Sequence, residues 1–262
     1  MVKKINYIKI QNSLEKRGYI VISNFFSDLK CENFLKKIYN YKSNKNDPGN
    51  FHNGASMIYN LQNKDIDFLN LIFDKKINKI NKNYFKIGSH GKDKNIYQFD
   101  SLHSRILEGN SKAQSLHIDS RVCGIYPPTH IHFFLYLSDV NKNDGPTQIV
   151  PRSHKKNRFP LKKDIKKTIK ILGKKGTLII LNSSIWHGSS LKNTNVPRTI
   201  LTLSYSRWHL RQTFSAPYSI PSKFEKKLNL KQKKLLGYLN YPPKDESYRL
   251  RMKGPLTTLK AR

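Results

Sequence analysis

The spacing of apolar residues changes character near residue 96. Upstream, Asp65–Tyr84 carries Phe68, Leu69, Leu71, Ile72, Ile77 and Ile80 at helical intervals, which predicts one helix packed outside the main body. Ile10–Tyr41 reads as helix, strand, helix: Gly18 opens the strand, and Asp28 gives the second helix an acidic first turn. Lys42–Asn53, rich in Lys, Asn and Asp with a Pro-Gly pair, has no core-forming pattern and predicts a loop. From Ile96 to Tyr205 short β-patterned runs alternate with Gly, Pro and Asn turns. Gly176–His187 reads as one buried strand that delivers His187 at its far end. The polar turn Lys192–Pro197 then leads into Arg198–Tyr205, a hairpin that sets Arg198 close to His187. Leu228–Leu239 predicts a surface helix and Tyr241–Arg262 a basic tail. The fold class expected is mainly β with flanking α-helices, a double-stranded β-helix (jelly roll, cupin-like). One domain is expected over residues 1–262: N-terminal helices to about 90, a barrel core from about 91 to 210, and a basic extension from about 211.

Chemistry enters with His117-Ile118-Asp119. Residues i and i+2 of a strand share a face, so His117 and Asp119 can bind one metal while Ile118 points away. With His187 they have the ligand types of a 2-His-1-carboxylate triad, the donor set of non-haem Fe(II) oxygenases. A single His on an apolar strand is more often a packed or surface His, and His-x-Asp alone is common. The conjunction with Arg198 is what lifts the assignment. Arg holds a carboxylate through two parallel hydrogen bonds, so a diacid chelating iron through its keto-acid end would reach Arg198 with its distal carboxylate; that diacid is 2-oxoglutarate. Ser189, two residues past His187, shares its face within reach of such a cosubstrate; its plain alternative is a turn hydroxyl. His130 and His132 form a His-x-His pair without a carboxylate at ligand spacing. They are read as lining the barrel interior or filling core rather than as ligands. Trp186 and Trp208 are read as packing residues. The polar loop Glu108–Ser115 stands immediately before the His117 strand, placed to cover the site.

Three further segments resemble one family. Gly18-Tyr-Ile-Val-Ile-Ser-Asn-Phe-Phe-Ser27, Asn143-Asp-Gly-Pro-Thr-Gln-Ile-Val-Pro-Arg-Ser-His154, and His187-Gly-Ser followed by Arg198 are similar to motifs of the phytanoyl-CoA dioxygenase (PhyH) family. The likeness runs from about Asn12 to Tyr205. It departs at Arg152, where the family commonly has Gly, which bears on the shape of that loop. The resemblance implies Fe(II) held by His117, Asp119 and His187, 2-oxoglutarate as cosubstrate paired with Arg198, and O2 as oxidant. Hydroxylation, with succinate and CO2 released, is the implied outcome; halogenation is disfavoured because Asp119 fills the position that halide would need. It also implies that the strand Ile96–Leu107 supplies polar groups to cosubstrate and substrate. Strict alternation puts Tyr97, Phe99, Ser101, His103 and Arg105 on one face and Gln98, Asp100 and Leu102 on the other. Gln98 and His103 are therefore rival candidates, of which one points inward. No catalytic residue beyond the ligands is indicated.

Charge adds a question of partner. The formal net charge is +32, from 49 basic and 17 acidic residues, with lysine pairs scattered over many segments. Such a field draws in anions, which favours a small anionic substrate and keeps open an oxygenase or binding module acting on nucleic acid. The lysine pairs sit among Lys, Asn, Ile and Leu rather than aromatic residues, which weighs against base stacking. No apolar run is long enough to span a membrane. Two cysteines, Cys31 and Cys123, form no metal or disulfide pattern, so a soluble cytoplasmic protein is expected. Oligomeric state is not legible.

Overall fold

The computed structural model describes residues 5–42, 50–52, 55–89, 96–120 and 122–240. The chain opens with α1 (Tyr7–Arg17), β1 (Tyr19–Ile22), α2 (Asp28–Lys42), β2 (Asn50–His52) and β3 (Ala55–Ile58). Helices α3 (Leu61–Lys64), α4 (Ile66–Ile72) and α5 (Lys75–Phe85) follow. The strands after them are β4 (Gln98–Leu107), β5 (Gln114–His117), β6 (His130–Tyr136), β7 (Thr147–Ile149), β8 (Ile169–Ile171), β9 (Leu178–Asn182), β10 (His187–Ser189) and β11 (Arg198–Ser206). Short helices α6 (Ala216–Ser219), α7 (Ser222–Glu225) and α8 (Leu230–Leu235) end the described chain. The predicted basic tail lies outside the described residues.

Among the described residues all strand pairs are antiparallel and form two sheets, β1-β9-β6-β11-β4-β3-β2 and β5-β10-β7-β8. The pair makes a jelly roll, as the alternating runs predict. Period-two alternation makes the large sheet two-faced. Leu178, Ile180, Ile131, Phe133, Leu135, Leu201 and Leu203 join the helices in one core, with Phe34, Phe68, Ile77 and Ile80. Their neighbours Ile179, Leu181, Tyr136 and Ile200 turn the other way and meet Ile149 and Ile171 of the small sheet. Phe34 of α2 stacks on Phe68 of α4 at 5.2 Å between ring centroids, and both are buried. Phe34→Ala should therefore cost roughly 3–5 kcal/mol of stability. Urea unfolding checks this; a loss below about 1 kcal/mol would mean the helical layer does not contribute to the cooperative core.

Four expectations need correction. The helix expected over Asp65–Tyr84 is two helices, because Asp74 caps α5 by accepting from the Lys76 and Ile77 amides at 2.9 and 3.2 Å. The loop expected over Lys42–Asn53 contains β2, which pairs with β3; residues 43–49 and 53 lie outside the described residues. The helix expected over Leu228–Leu239 is shorter: Asn229 and Gln232 form a reciprocal cap at its start, and Gly237, at φ 89°, follows its end. Gly176–His187 is not one strand. It is β9 in the large sheet, a turn in which Asn182 Oδ1 accepts from the Ser184 amide at 2.9 Å, and β10 in the small sheet. Arg198 accordingly does not return beside His187 in a hairpin, because β10 and β11 belong to opposite sheets.

Two separate motifs meet at α1. Gly18 ends this helix at φ 83°, its amide donating to the Leu14 carbonyl at 3.0 Å. A Cβ there would sit 2.5 Å from Nδ1 of His154, whose Nε2 bonds the Glu15 carbonyl at 3.1 Å. The Ser153 hydroxyl accepts from the Trp186 amide at 2.7 Å, so the Asn143–His154 segment ties α1 to the corner before β10. Arg152 takes the left-handed φ of 66°, the conformation Gly adopts without cost; the loop keeps that shape with Arg in its place.

Candidate functional site

A cavity of about 1780 Å³ opens between the sheets. Its walls come from β4, β5, β6, β10 and β11, from Met57 and Tyr59, from segment 108–115 and from Arg211–Thr213. Segment 108–115, expected to cover the site, lines its wall, held in its middle by Ser111 bridging Lys192.

Within the cavity His117, Asp119 and His187 offer ligand atoms that all lie within 4.8 Å of one another. Register explains the pair of histidines: β5 and β10 set His117 directly opposite His187, with ring centroids 4.4 Å apart. Asp119 follows the end of β5, and its amide and that of Ser120 donate to the Ser183 carbonyl at 3.1 and 3.0 Å. The turn that switches sheets therefore also anchors the carboxylate. Asp119 Oδ1 lies 3.6 Å from His117 Nε2, and Oδ2 lies 3.4 Å from His187 Nε2. Both histidines place Nδ1 against a backbone carbonyl two residues back, Ser115 at 3.0 Å and Ile185 at 3.1 Å. A carbonyl can only accept, so Nδ1 carries a proton and Nε2, facing the carboxylate, is the nitrogen that each neutral ring offers to a metal. That is the donor set a divalent metal needs, with ring orientation already set. The His187 side chain is 5% exposed, whereas those of His117 and Asp119 are 35% and 30% exposed, so the group is open on one side.

Electrostatics differ between the two histidines. Burial pushes the His187 pKa down to about 4 against the pull of Asp119, so this imidazole is neutral at pH 7. Burial also lowers that of His117, but Asp119 outweighs it and leaves the pKa raised. For Asp119, burial opposes ionisation, yet His187, His132 and His117 together hold its carboxyl well below the usual range.

Arg198 opens β11 on the large sheet and points into the same cavity. It is 2% exposed, its Nη2 donates to Thr147 Oγ1 at 3.0 Å, and its Nε and Nη1 have no partner. A buried guanidinium with an unused donor edge can take up an anion. The donors present thus fit both an iron and the distal carboxylate of 2-oxoglutarate.

The remaining predicted residues separate. Ser189 is buried in the wall, its hydroxyl accepting from the Gln114 amide at 3.3 Å. His103 lines the cavity beside the Tyr59 ring, and burial lowers its pKa to about 4. Gln98 does not line it: its side chain donates to the Leu210 carbonyl at 2.5 Å and accepts from Asn240 at 2.6 Å. Of the rivals on β4, His103 is the one turned inward. Strict alternation fails along β4 because the register slips between Ser204↔Ser101 and Tyr205↔Phe99. Phe99 consequently packs with the helices, while Ser101, His103 and Arg105 face the cavity. His130 and His132 also line it; His132 Nδ1 bonds Ser204 Oγ at 2.7 Å and its Nε2 lies 3.6 Å from Asp119 Oδ2. Arg105, Tyr59 and Arg211–Thr213 received no role from sequence. Tyr59 and Arg211–Thr213 come from distant segments without a motif, and Arg105 was visible only as a neighbour of His103 on one face.

Gly188 marks how tightly β10 and β5 approach. A Cβ there would lie 2.5 Å from the Gln114 carbonyl oxygen and 3.0 Å from that of Ser115. Gly188→Ala should therefore push the two strands apart and weaken metal binding roughly 10-fold, within the range known for supporting residues, although all three donors remain. Anaerobic Fe(II) titration reads the effect; unchanged affinity would show that the strand spacing is not what brings His117 to His187.

Known proteins share this arrangement of sheets. HygX from Streptomyces hygroscopicus, solved with nickel and 2-oxoglutarate bound, is 16% identical with a TM-score of 0.62, over 76% of this chain and 86% of HygX. The epimerase SnoN from nogalamycin biosynthesis, solved with Fe3+, alpha ketoglutarate and nogalamycin RO, is 14% identical with a TM-score of 0.65, over 78% of this chain and 84% of SnoN. The phytanoyl-CoA dioxygenase (PhyH) family matches residues 14–200, most of the chain and every segment that carries His117, Asp119, His187 and Arg198. This protein belongs to the phytanoyl-CoA dioxygenase family.

Proposed function

We propose that this protein is an Fe(II)- and 2-oxoglutarate-dependent dioxygenase that hydroxylates a small molecule and releases succinate and CO2. The observation that carries the reading is the shared cavity: a His-Asp-His donor group and a buried arginine with a free donor edge. Neither needs the other for packing, and together they match a keto-diacid bound to a metal. Bound iron with 2-oxoglutarate supplies oxidation by O2. The chain's own part is positional. His117, Asp119 and His187 would hold the metal, and the carbonyl hydrogen bonds of the two histidines keep their rings aimed. Arg198, braced by Thr147, orients the cosubstrate; Ser189 and His103 border the same space. Phe134 and Ile200 give the cavity apolar walls that limit water near the reacting atoms.

A small molecule is supported by the neighbours, since HygX was solved with hygromycin B and SnoN with nogalamycin RO. SnoN is an epimerase, so the test must identify the product as well as turnover. Succinate release should rise with one member of a metabolite panel, giving a product heavier by one oxygen atom. Release should stay at its uncoupled background with DNA or RNA oligomers at near-physiological salt. Stoichiometric oxidation of an oligonucleotide would establish the nucleic-acid reading that the +32 charge suggests. Weak retention of nucleic acid at low salt is expected of so basic a chain and decides nothing. Among the described residues no helix is long and apolar enough to cross a membrane.

A further inference from the structure

Resting on that reading, we infer that Arg105 binds an oxyanion group, carboxylate or phosphate, carried by the substrate. Arg105 is half-buried on β4, lines the cavity, and has a buried Nε with no hydrogen-bond partner. Every acid among the described residues of the cavity wall is already engaged. Asp100 accepts from the Thr213 amide and hydroxyl at 2.7 and 3.0 Å, Glu108 pairs with Lys42, and Asp119 belongs to the metal-ligand group. Arg105 has no carboxylate of the described residues within ion-pair distance.

Charge balance says what is missing. Fe(II), ionised Asp119, Arg198 and the 2-oxoglutarate dianion cancel one another, so the loaded centre offers no anion to Arg105. Burial and the proximity of Arg198 lower its pKa only to about 10, and it stays charged at neutral pH. A half-buried cation left unpaired is costly, and an arriving oxyanion removes that cost. Among the described residues, the lysine and the further arginine at the cavity, Lys112 and Arg211, are exposed.

Geometry separates Arg105 from the cosubstrate pocket. Arg105 stands opposite Ile200 of β11 on one side and Met57 of β3 on the other. Arg198 is therefore its diagonal neighbour, with backbones roughly 7–8 Å apart. Arg198 is braced by Thr147 of the small sheet, while Arg105 stands on the flank where Met57 and Tyr59 line the wall. An anionic end fixed at Arg105 leaves the remainder of the molecule to extend across the cavity toward His117, Asp119 and His187. Bidentate recognition of a carboxylate or phosphate is what the guanidinium fork provides.

The test uses the full chain, loaded anaerobically with Fe(II) and saturating 2-oxoglutarate, and inorganic phosphate as probe, followed by 31P line broadening. Wild-type protein should bind phosphate saturably. Arg105→Gln and Arg105→Met should each weaken it about 10-fold or more, the loss expected for a charge-assisted hydrogen bond. Arg105→Lys should recover part of it. Cosubstrate affinity, measured separately by calorimetry, should change less than about threefold in all three variants, and thermal melting identifies any that fail to fold. Equal phosphate binding in wild type and the folded variants would overturn the assignment. So would a loss of 2-oxoglutarate affinity as large as that of an Arg198 variant, which would place Arg105 in the cosubstrate pocket. Failure of wild-type protein to bind Fe(II) or 2-oxoglutarate is read before phosphate is added, and would instead remove the dioxygenase reading.

Discussion

His187→Ala and His117→Ala protein should each lose tight Fe(II) binding, whereas the wild-type chain takes up one ion. The three donors converge from β5, the turn after it and β10. Each imidazole is aimed by a hydrogen bond from Nδ1 to its own backbone. Loss of a residue that merely supports a ligand commonly costs 10- to 100-fold in metal affinity. Removing a ligand outright leaves two donors and should cost more than about 100-fold. For His187 the effect is sharpened by burial: at 5% side-chain exposure, little room remains for water to replace the nitrogen along the same direction. Anaerobic titration of both variants settles the matter. If stoichiometry and affinity match wild type, the ligands are elsewhere and the proposed function fails with them.

Arg198→Ala should leave iron in place and raise the 2-oxoglutarate requirement. Its guanidinium is buried, braced by one bond to Thr147, and otherwise free to pair with a carboxylate. A hydrogen bond to a charged group contributes roughly 1.5–3 kcal/mol, so affinity should fall at least ~10-fold. The variant also removes a buried charge, which tends to stabilise the empty protein, so lost binding cannot be put down to unfolding if melting is unchanged or higher. Isothermal titration with the Fe(II)-loaded variant gives the result; equal affinity would mean that the distal carboxylate is held by another group. Comparison with Arg105→Gln makes the two arginines distinguishable, since only Arg198 should affect the cosubstrate.

Residues that can be read from sequence here are those whose geometry is local or whose spacing is a motif. His117 and Asp119 are two apart on an extended chain, so their common direction follows from strand periodicity alone. The alternation over 96–205 determined that the chain builds sheets, and the Gly18 and Asn143–His154 segments, read as separate motifs, pass close to each other at the His154–Gly18 contact. His187 and Arg198 were legible through the motif that spans them, although the hairpin imagined between them does not exist.

What the tertiary structure alone decided is long-range. The Asn182–Ser184 turn moves the chain from one sheet to the other, so His187 and Arg198 converge on the cavity from opposite walls. The register slip near Asp100 turns Phe99 to the helices and His103 with Arg105 to the cavity, and leaves Gln98 bonded to the C-terminal segment. No pattern within β4 encodes that slip, because it depends on how β11 pairs beside it. His132 sits against Asp119 for the same reason: strand order in the large sheet and the facing of the two sheets set that distance. The composition of this chain determined a strongly basic protein; which of its many cations are wholly or partly buried and turned toward the cavity that holds His117, Asp119 and His187 was decided by packing, since burial is a property of neighbours and not of the residue itself.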